Sequence, residues 1–201
     1  HNDYPIQKGQ ERLMQADFNG AHGVAFTDMF GDYDGHLYEI INMELNNNFR
    51  RAIFISTINA MLSHIGLIDK TDHCKDEGPV NCKGKLVRFI KENFGNPKIF
   101  QAGFQPRFVE ALSKEFEFRV TDMDGDNIGK KINGVTVESP ECTEKNIKWC
   151  DLIFATGSTF VNETYKQFIV KDKQTVFYGV TCAGATYLFN LKRYCPDGLC
   201  K

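Results

Sequence analysis

Asp151-Leu-Ile-Phe-Ala-Thr-Gly-Ser-Thr159 and Thr175-Val-Phe-Tyr-Gly-Val-Thr-Cys-Ala-Gly184 share one pattern. Each is a short β-prone apolar run that stops in Gly, Ser and Thr before a more helical stretch. A parallel strand buried on both faces hands over to a helix in this way. The hand-over is also a place for a ligand, since glycine admits close approach and backbone N–H groups collect at a helix start. The two runs therefore predict an α/β fold with a binding cleft.

Working outward, three more segments join them. Lys98–Ala102 and Glu117–Thr121 read as further strands. Helical patterns over Pro106–Phe116, near Val161–Phe168 and over Ala183–Leu191 separate the four strands, and a helix over Lys85–Phe94 precedes them. Strands alternating with helices specify a parallel sheet with helices on its faces. In the first half, Asn46-Asn47-Asn48 caps a helix running to about Ser63, and Gly66 stops it. Residues 1–36 are turn-rich and read as one strand, Gly23–Thr27, within loops. The polar stretch 69–84, broken by Gly78 and Pro79, is the natural boundary, which gives an α+β domain over 1–75 and the sheet domain over 76–201.

The 201 residues, 42% of them apolar, suffice for one large domain or two small ones. No apolar run approaches the roughly 20 residues of a membrane helix. A net charge of −2 with intermixed signs argues against nucleic acid. Seven cysteines without a Cys-x-x-Cys favour free thiols in a reducing cytoplasm over a disulfide scaffold.

Chemistry concentrates at the strand ends. Gln101-Ala-Gly-Phe-Gln-Pro-Arg107 places Gly103, Phe104, Gln105, Pro106 and Arg107 on a strand-to-helix turn. An ordinary tight loop has the same sequence signature, and the full Gly-x-Gly-x-x-Gly fingerprint is absent. Val120-Thr-Asp-Met-Asp-Gly-Asp-Asn-Ile-Gly129 ends the next strand in acids, with Asp122, Asp124, Asn127 and Gly129 as ligand contacts and Asp122 or Asp124 as the general acid–base candidate. It departs from a calcium loop, because Gly125 comes two places early and Asn133 holds the twelfth position. A solvated turn with Asx capping is the plain alternative. Thr156, Gly157, Ser158, Thr159 and Asn162 offer hydroxyls, an amide and backbone N–H groups to a polar or anionic ligand. Gly179, Thr181 and Cys182 do the same after the last strand. Ser158 is a poor nucleophile candidate, with no Gly-x-Ser-x-Gly and no histidine in 74–201. His73 and Cys74 are the one adjacent imidazole–thiol pair, so a metal there needs distant partners.

Taken together, Thr27-Asp28, Ile58-Asn59-Ala60, His73-Cys74, Gly103–Arg107, Asp124–Gly129, Thr156–Asn162, Gly179–Gly184 and Arg193-Tyr-Cys-Pro196 resemble the heavy-metal chelation family, a domain of unknown function mostly from anaerobic bacteria and archaea. The resemblance implies an enolase N-terminal-like domain, a Rossmann-like domain, and a polar site where the two meet. It also implies a transition metal or a metal-containing, pterin-like small molecule as ligand, with an enzymatic role left open. A non-catalytic metal-trafficking or sensing module using His73, Cys74 and distant thiols is the alternative, and a homo-oligomer is compatible with either.

Overall fold

The computed structural model describes residues 11–73 and 78–196, with the backbone alone for 78–83. The chain divides into two compact units. One gathers the chain up to Cys74 with Gly157–Lys166 and the chain from Phe177 onward; the other holds Lys75–Thr156 and Gln167–Val176.

The first unit starts with a hairpin of β1 (Arg12–Phe18) and β2 (Ala21–Thr27), paired antiparallel from Arg12↔Thr27 to Phe18↔Ala21. Its turn is Asn19-Gly20, with φ of 51° and 80°. Two successive residues at positive φ match the right-handed twist of the strands, which is why Asn-Gly is a strong hairpin signal. The single strand expected in this region is therefore a pair. A short helix, α1 (Leu37–Ile41), follows, with Glu39 accepting the His36 N–H. Helix α2 (Asn48–His64) is capped by the Asn47 side chain, which accepts from the Arg50 N–H. Ala52, Ser56 and Ala60 recur every four residues and make a low ridge that lets the helix lie close on β2. The closest point is Gly23, where a Cβ would fall 2.2 Å from the Ala60 nitrogen and 2.3 Å from the Ser56 oxygen. Chain from beyond residue 156 completes this unit: α6 (Ser158–Val161), α7 (Ala183–Leu188) and β9 (Lys192–Tyr194).

The second unit starts with α3 (Gly78–Phe94), seven residues earlier than the sequence reading placed it. Pro79 lies in the first turn, where a missing N–H costs no helical hydrogen bond. Then come β3 (Ile99–Ala102), α4 (Pro106–Glu115), β4 (Phe118–Thr121), β5 (Lys131–Ile132), β6 (Val135–Glu138), α5 (Thr143–Trp149), β7 (Leu152–Thr156) and β8 (Gln174–Tyr178). The strand order is β5-β6-β4-β3-β7-β8-β9. β3 pairs parallel with both β4 and β7, and β4 pairs parallel with β6. β5–β6 is an antiparallel hairpin, and its turn is again Asn-Gly, Asn133 and Gly134 at φ 49° and 82°.

All four residues of β3 are buried, as are Leu152–Ala155 of β7, so the central strands are covered on both faces. Phe108 of α4 packs on Phe154 from one side and Phe168 on Phe100, with ring centroids 5.8 and 6.4 Å apart. The helix expected near Val161–Phe168 is instead α6 followed by a separate 3-10 turn over Thr164–Phe168. Glu163 at φ 61° breaks it, and the Asn162 side chain takes the Thr164 N–H that a continuous helix would have used internally. The sequence reading also passed over α5, although Ser139 caps and Pro140 opens the turn leading into it.

Candidate functional site

The strand order reverses at β3. From β3 the chain moves to β4 and β6 on one side, then returns to β7 on the other. At such a point the loops leaving two adjacent strands part, and a crevice opens beyond their carboxyl ends. Ala102 is level with Ala155, so Gly103 and Thr156 follow side by side. Gly103 has φ 93°, a conformation that favours glycine. It turns the chain from β3 into α4, whose start is fixed by Pro106 and by the Gln105 side chain accepting from the Phe108 N–H at 2.7 Å.

Asp122 holds this turn. One of its oxygens accepts from the Phe104 N–H at 2.5 Å, and the other accepts from the Asp124 N–H at 2.9 Å and the Asn127 amide at 3.2 Å. Asp124 repeats the motif, accepting from the Asp126 N–H, and Asn127 accepts from Lys130. Gly129, at φ 86°, donates its N–H to Val137. The acidic run is therefore a chain of Asx turns. Asp122 and Asp124 position the loop after β3 and the loop after β4.

The backbone donors of the first loop are largely committed inside the protein: Gly103 N–H to Thr121, Phe104 N–H to Asp122, and Phe108 N–H to Gln105. Arg107 is half-buried, Pro106 is exposed, and Lys130 lies 5.9 Å from the centroid of the Phe104 ring.

Beneath the turn lies Gln101, fully buried within β3. Its amide nitrogen donates to the Gly103 carbonyl at 2.8 Å, which holds the carboxamide directly under the loop. Its amide oxygen is buried and has no hydrogen-bond partner. A buried acceptor left unpaired costs about 1–3 kcal/mol, and native proteins nearly always give such a group a partner, in the protein, an ordered water or a ligand. Gln101 was quoted in its motif but not singled out by the sequence reading. The available signal was a long amide inside an otherwise apolar strand.

The remaining residues of the expected site fall in the first unit, apart from Thr156. Gly157, Ser158 and Thr159 are buried, and the Gly157 N–H donates to the Tyr178 carbonyl at 2.9 Å. A Cβ on Gly157 would lie 2.8 Å from the Cys182 nitrogen, so this glycine serves close packing. Ser158 Oγ is 3.5 Å from a Glu11 carboxylate oxygen. Asn162 caps Thr164, and Thr181 Oγ1 accepts the Phe26 N–H at 3.1 Å. Gly179, at φ 97°, receives Arg193 on its carbonyl. Cys182 is fully buried, and desolvation pushes its thiol up to about 12. Cys150, also buried, is pushed up to about 11 by the same cause. Burial thus holds both as protonated thiols at neutral pH.

Asn59, on α2, ties this unit together. Its buried amide nitrogen donates to the carbonyls of Val24 and Thr181 at 2.9 and 3.0 Å, and its oxygen accepts the Gly184 N–H at 2.7 Å. His73 is half-buried with its ring edge-on to Phe26. Cys74, its expected co-ligand, lies outside the described residues. Among the described residues no group of three or more His, Cys, Asp or Glu is placed to hold a metal ion. Cys142, Cys150, Cys182 and Cys195 are free, and no helix of the described residues is long and apolar enough to cross a membrane.

Two crystal structures of proteins with unknown function are similar in fold. One, from Pyrococcus horikoshii, is 19% identical with a TM-score of 0.59, covering 86% of this chain and 69% of that one. The other, from Desulfitobacterium hafniense DCB-2, is 12% identical with a TM-score of 0.58, covering 90% of this chain and 73% of that one. Both are assigned to the DUF364 family. No curated protein matches the chain. The DUF364 family itself, described as "Putative heavy-metal chelation", matches residues 85–192, more than half of the 201. The match takes in the β3 turn, the acidic loop and the β7 turn, and the chain belongs to this family.

Proposed function

We propose that the protein binds a small polar molecule at the carboxyl ends of β3, β4 and β7, and that the buried Gln101 amide oxygen receives a hydrogen bond when the ligand is in place. The unpaired oxygen beneath a strand-order reversal is the observation that carries this reading. Reading β3 as the first strand, the order β6-β4-β3-β7-β8-β9 becomes 3-2-1-4-5-6, that of a Rossmann-like domain, in which the reversal is the usual ligand position. The ligand must offer an N–H or O–H donor, as a pterin-like ring does. Heavy-metal chelation, the family's description, enters as a metal carried by that molecule, because the described residues present no ligand cluster of their own. A reducing cytoplasm is the compartment that seven cysteines without a Cys-x-x-Cys favour. An enolase N-terminal-like fold for the first unit is supported by its hairpin packed on α2.

The test is titration calorimetry with a pterin carboxylate, offered alone, loaded with a divalent transition metal, and against the metal alone. Binding of the organic ring that weakens in Gln101→Leu supports the proposal. Binding of bare metal alone, lost in Cys74→Ser, would instead support a metal-trafficking module built on His73 and Cys74.

A further inference from the structure

A recess of about 340 Å³ opens within the first unit, lined by Tyr33, Glu39, Met43, Phe49, Arg50 and Ile53. Tyr33 precedes α1, Glu39 lies on it and Met43 follows it, while Phe49, Arg50 and Ile53 belong to the first two turns of α2. The volume falls within the range of small-molecule sites, about 300–1,000 Å³. Two glycines let the chain close in on it. A Cβ on Gly31 would meet the Phe49 ring at 3.3 Å, and one on Gly35 would fall 2.8 Å from the Tyr33 hydroxyl oxygen and 2.9 Å from Glu39 Oε2.

The chemistry of the walls is mixed. Phe49, Met43 and Ile53 are half-buried or buried and offer an apolar bed, and the Tyr33 ring is 44% exposed beside it. Glu39 and Arg50 bring one charge of each sign. Their hydrogen bonds go to backbone: Glu39 Oε2 accepts the His36 N–H at 2.9 Å, and Arg50 donates to the Glu44 carbonyl at 3.3 Å. Among the described residues neither is in an ion pair, although both line the same recess. Each therefore keeps an unmatched charge. A simple anion would satisfy Arg50 and be repelled by Glu39, and a simple cation would do the reverse. A molecule carrying both charges satisfies both, with its carboxylate on the guanidinium fork and its ammonium on the carboxylate.

We propose that this recess binds a small amino-acid-type zwitterion with an aromatic or thioether side chain, its carboxylate held by Arg50, its ammonium by Glu39 and its apolar end on Phe49 and Met43. The inference goes beyond the ligand site at β3 and does not depend on it. Calorimetric titration of the full chain with L-phenylalanine and L-methionine should show binding of at least one. Phenethylamine, which lacks the carboxylate, and 3-phenylpropionate, which lacks the amine, should bind about tenfold or more weakly than L-phenylalanine, since each forfeits one charge-assisted contact and meets one like charge. Glu39→Gln can still accept the His36 N–H, and Arg50→Gln can still donate to the Glu44 carbonyl. Each should keep the wild-type melting curve by circular dichroism. Glu39→Gln should weaken the amino acid about tenfold while sparing 3-phenylpropionate, and Arg50→Gln should do so while sparing phenethylamine. Silence from both amino acids at their solubility limits overturns the proposal. Binding indifferent to both substitutions, or equal affinity for the singly charged analogues, overturns it as well.

Discussion

At the scale of single residues, one carboxylate organises the turns that follow β3 and β4. Asp122 accepts three hydrogen bonds, two of them from backbone N–H groups of different loops. Asp122→Ala should destabilise the protein by about 2 kcal/mol in urea unfolding, since charge-assisted bonds to a half-buried acceptor are lost together. It should also weaken ligand binding, whereas Asp124→Ala, which loses a single exposed turn, should change stability by less than about 1 kcal/mol. The buried thiols give a pH dependence. Cys150 and Cys182 are raised from 9.0 to about 11 and about 12 by desolvation. Their contribution is fully present below pH 9 and is lost as the pH climbs through 11 and 12, because the unfolded chain releases these protons first. Alkaline unfolding should steepen there, and Cys182→Ala should flatten it. Residue identities at the turns were legible from type and spacing. Their hydrogen-bond partners were not, because Asp122 reaches 18 residues back to Phe104 and Asn59 reaches 125 residues forward to Gly184.

At the scale of elements, glycines separate two kinds of constraint. Gly20 meets nothing within 4 Å but sits at φ 80°, so Gly20→Ala should cost about 1 kcal/mol through backbone strain alone. Gly23 has ordinary backbone geometry, yet a Cβ there runs into the backbone of α2. Gly23→Ala should therefore cost on the order of 3 kcal/mol, enough to depress the melting temperature sharply. Gly157→Val belongs with Gly23, because its side chain would meet the Cys182 backbone. The buried parallel strands and α4 were legible because apolar runs, Pro106 and the Gln105 cap act locally. The two Asn-Gly hairpins were equally local and were passed over: their strands are short or half exposed and lack a long apolar run. Segment 161–168 misled because the helix break depends on Glu163 holding φ 61°.

At the scale of the whole molecule, strand alternation predicted the parallel sheet, but no sequence pattern told that Gly157–Lys166 and the chain from Phe177 would pack with the first unit. That assignment rests on contacts between distant residues, such as Asn59 with Thr181 and Phe26 with Thr181. The same blindness hid Gln101. An amide in a strand is unremarkable until its surroundings leave one oxygen unpaired. The central claim is that this oxygen is held for a ligand, and Gln101→Leu tests it. The substitution removes an unpaired buried acceptor, worth about 1–3 kcal/mol, and one hydrogen bond to Gly103, worth about 1 kcal/mol. Stability should therefore stay level or rise. Affinity for the ring that binds wild-type protein should fall about tenfold or more, because a buried bond made only in the complex is lost. The decisive measurement is calorimetric titration of wild-type and Gln101→Leu protein alongside their thermal melts. Unchanged or higher melting temperature with weakened binding is the predicted result, and unchanged affinity in a folded Gln101→Leu variant would contradict it.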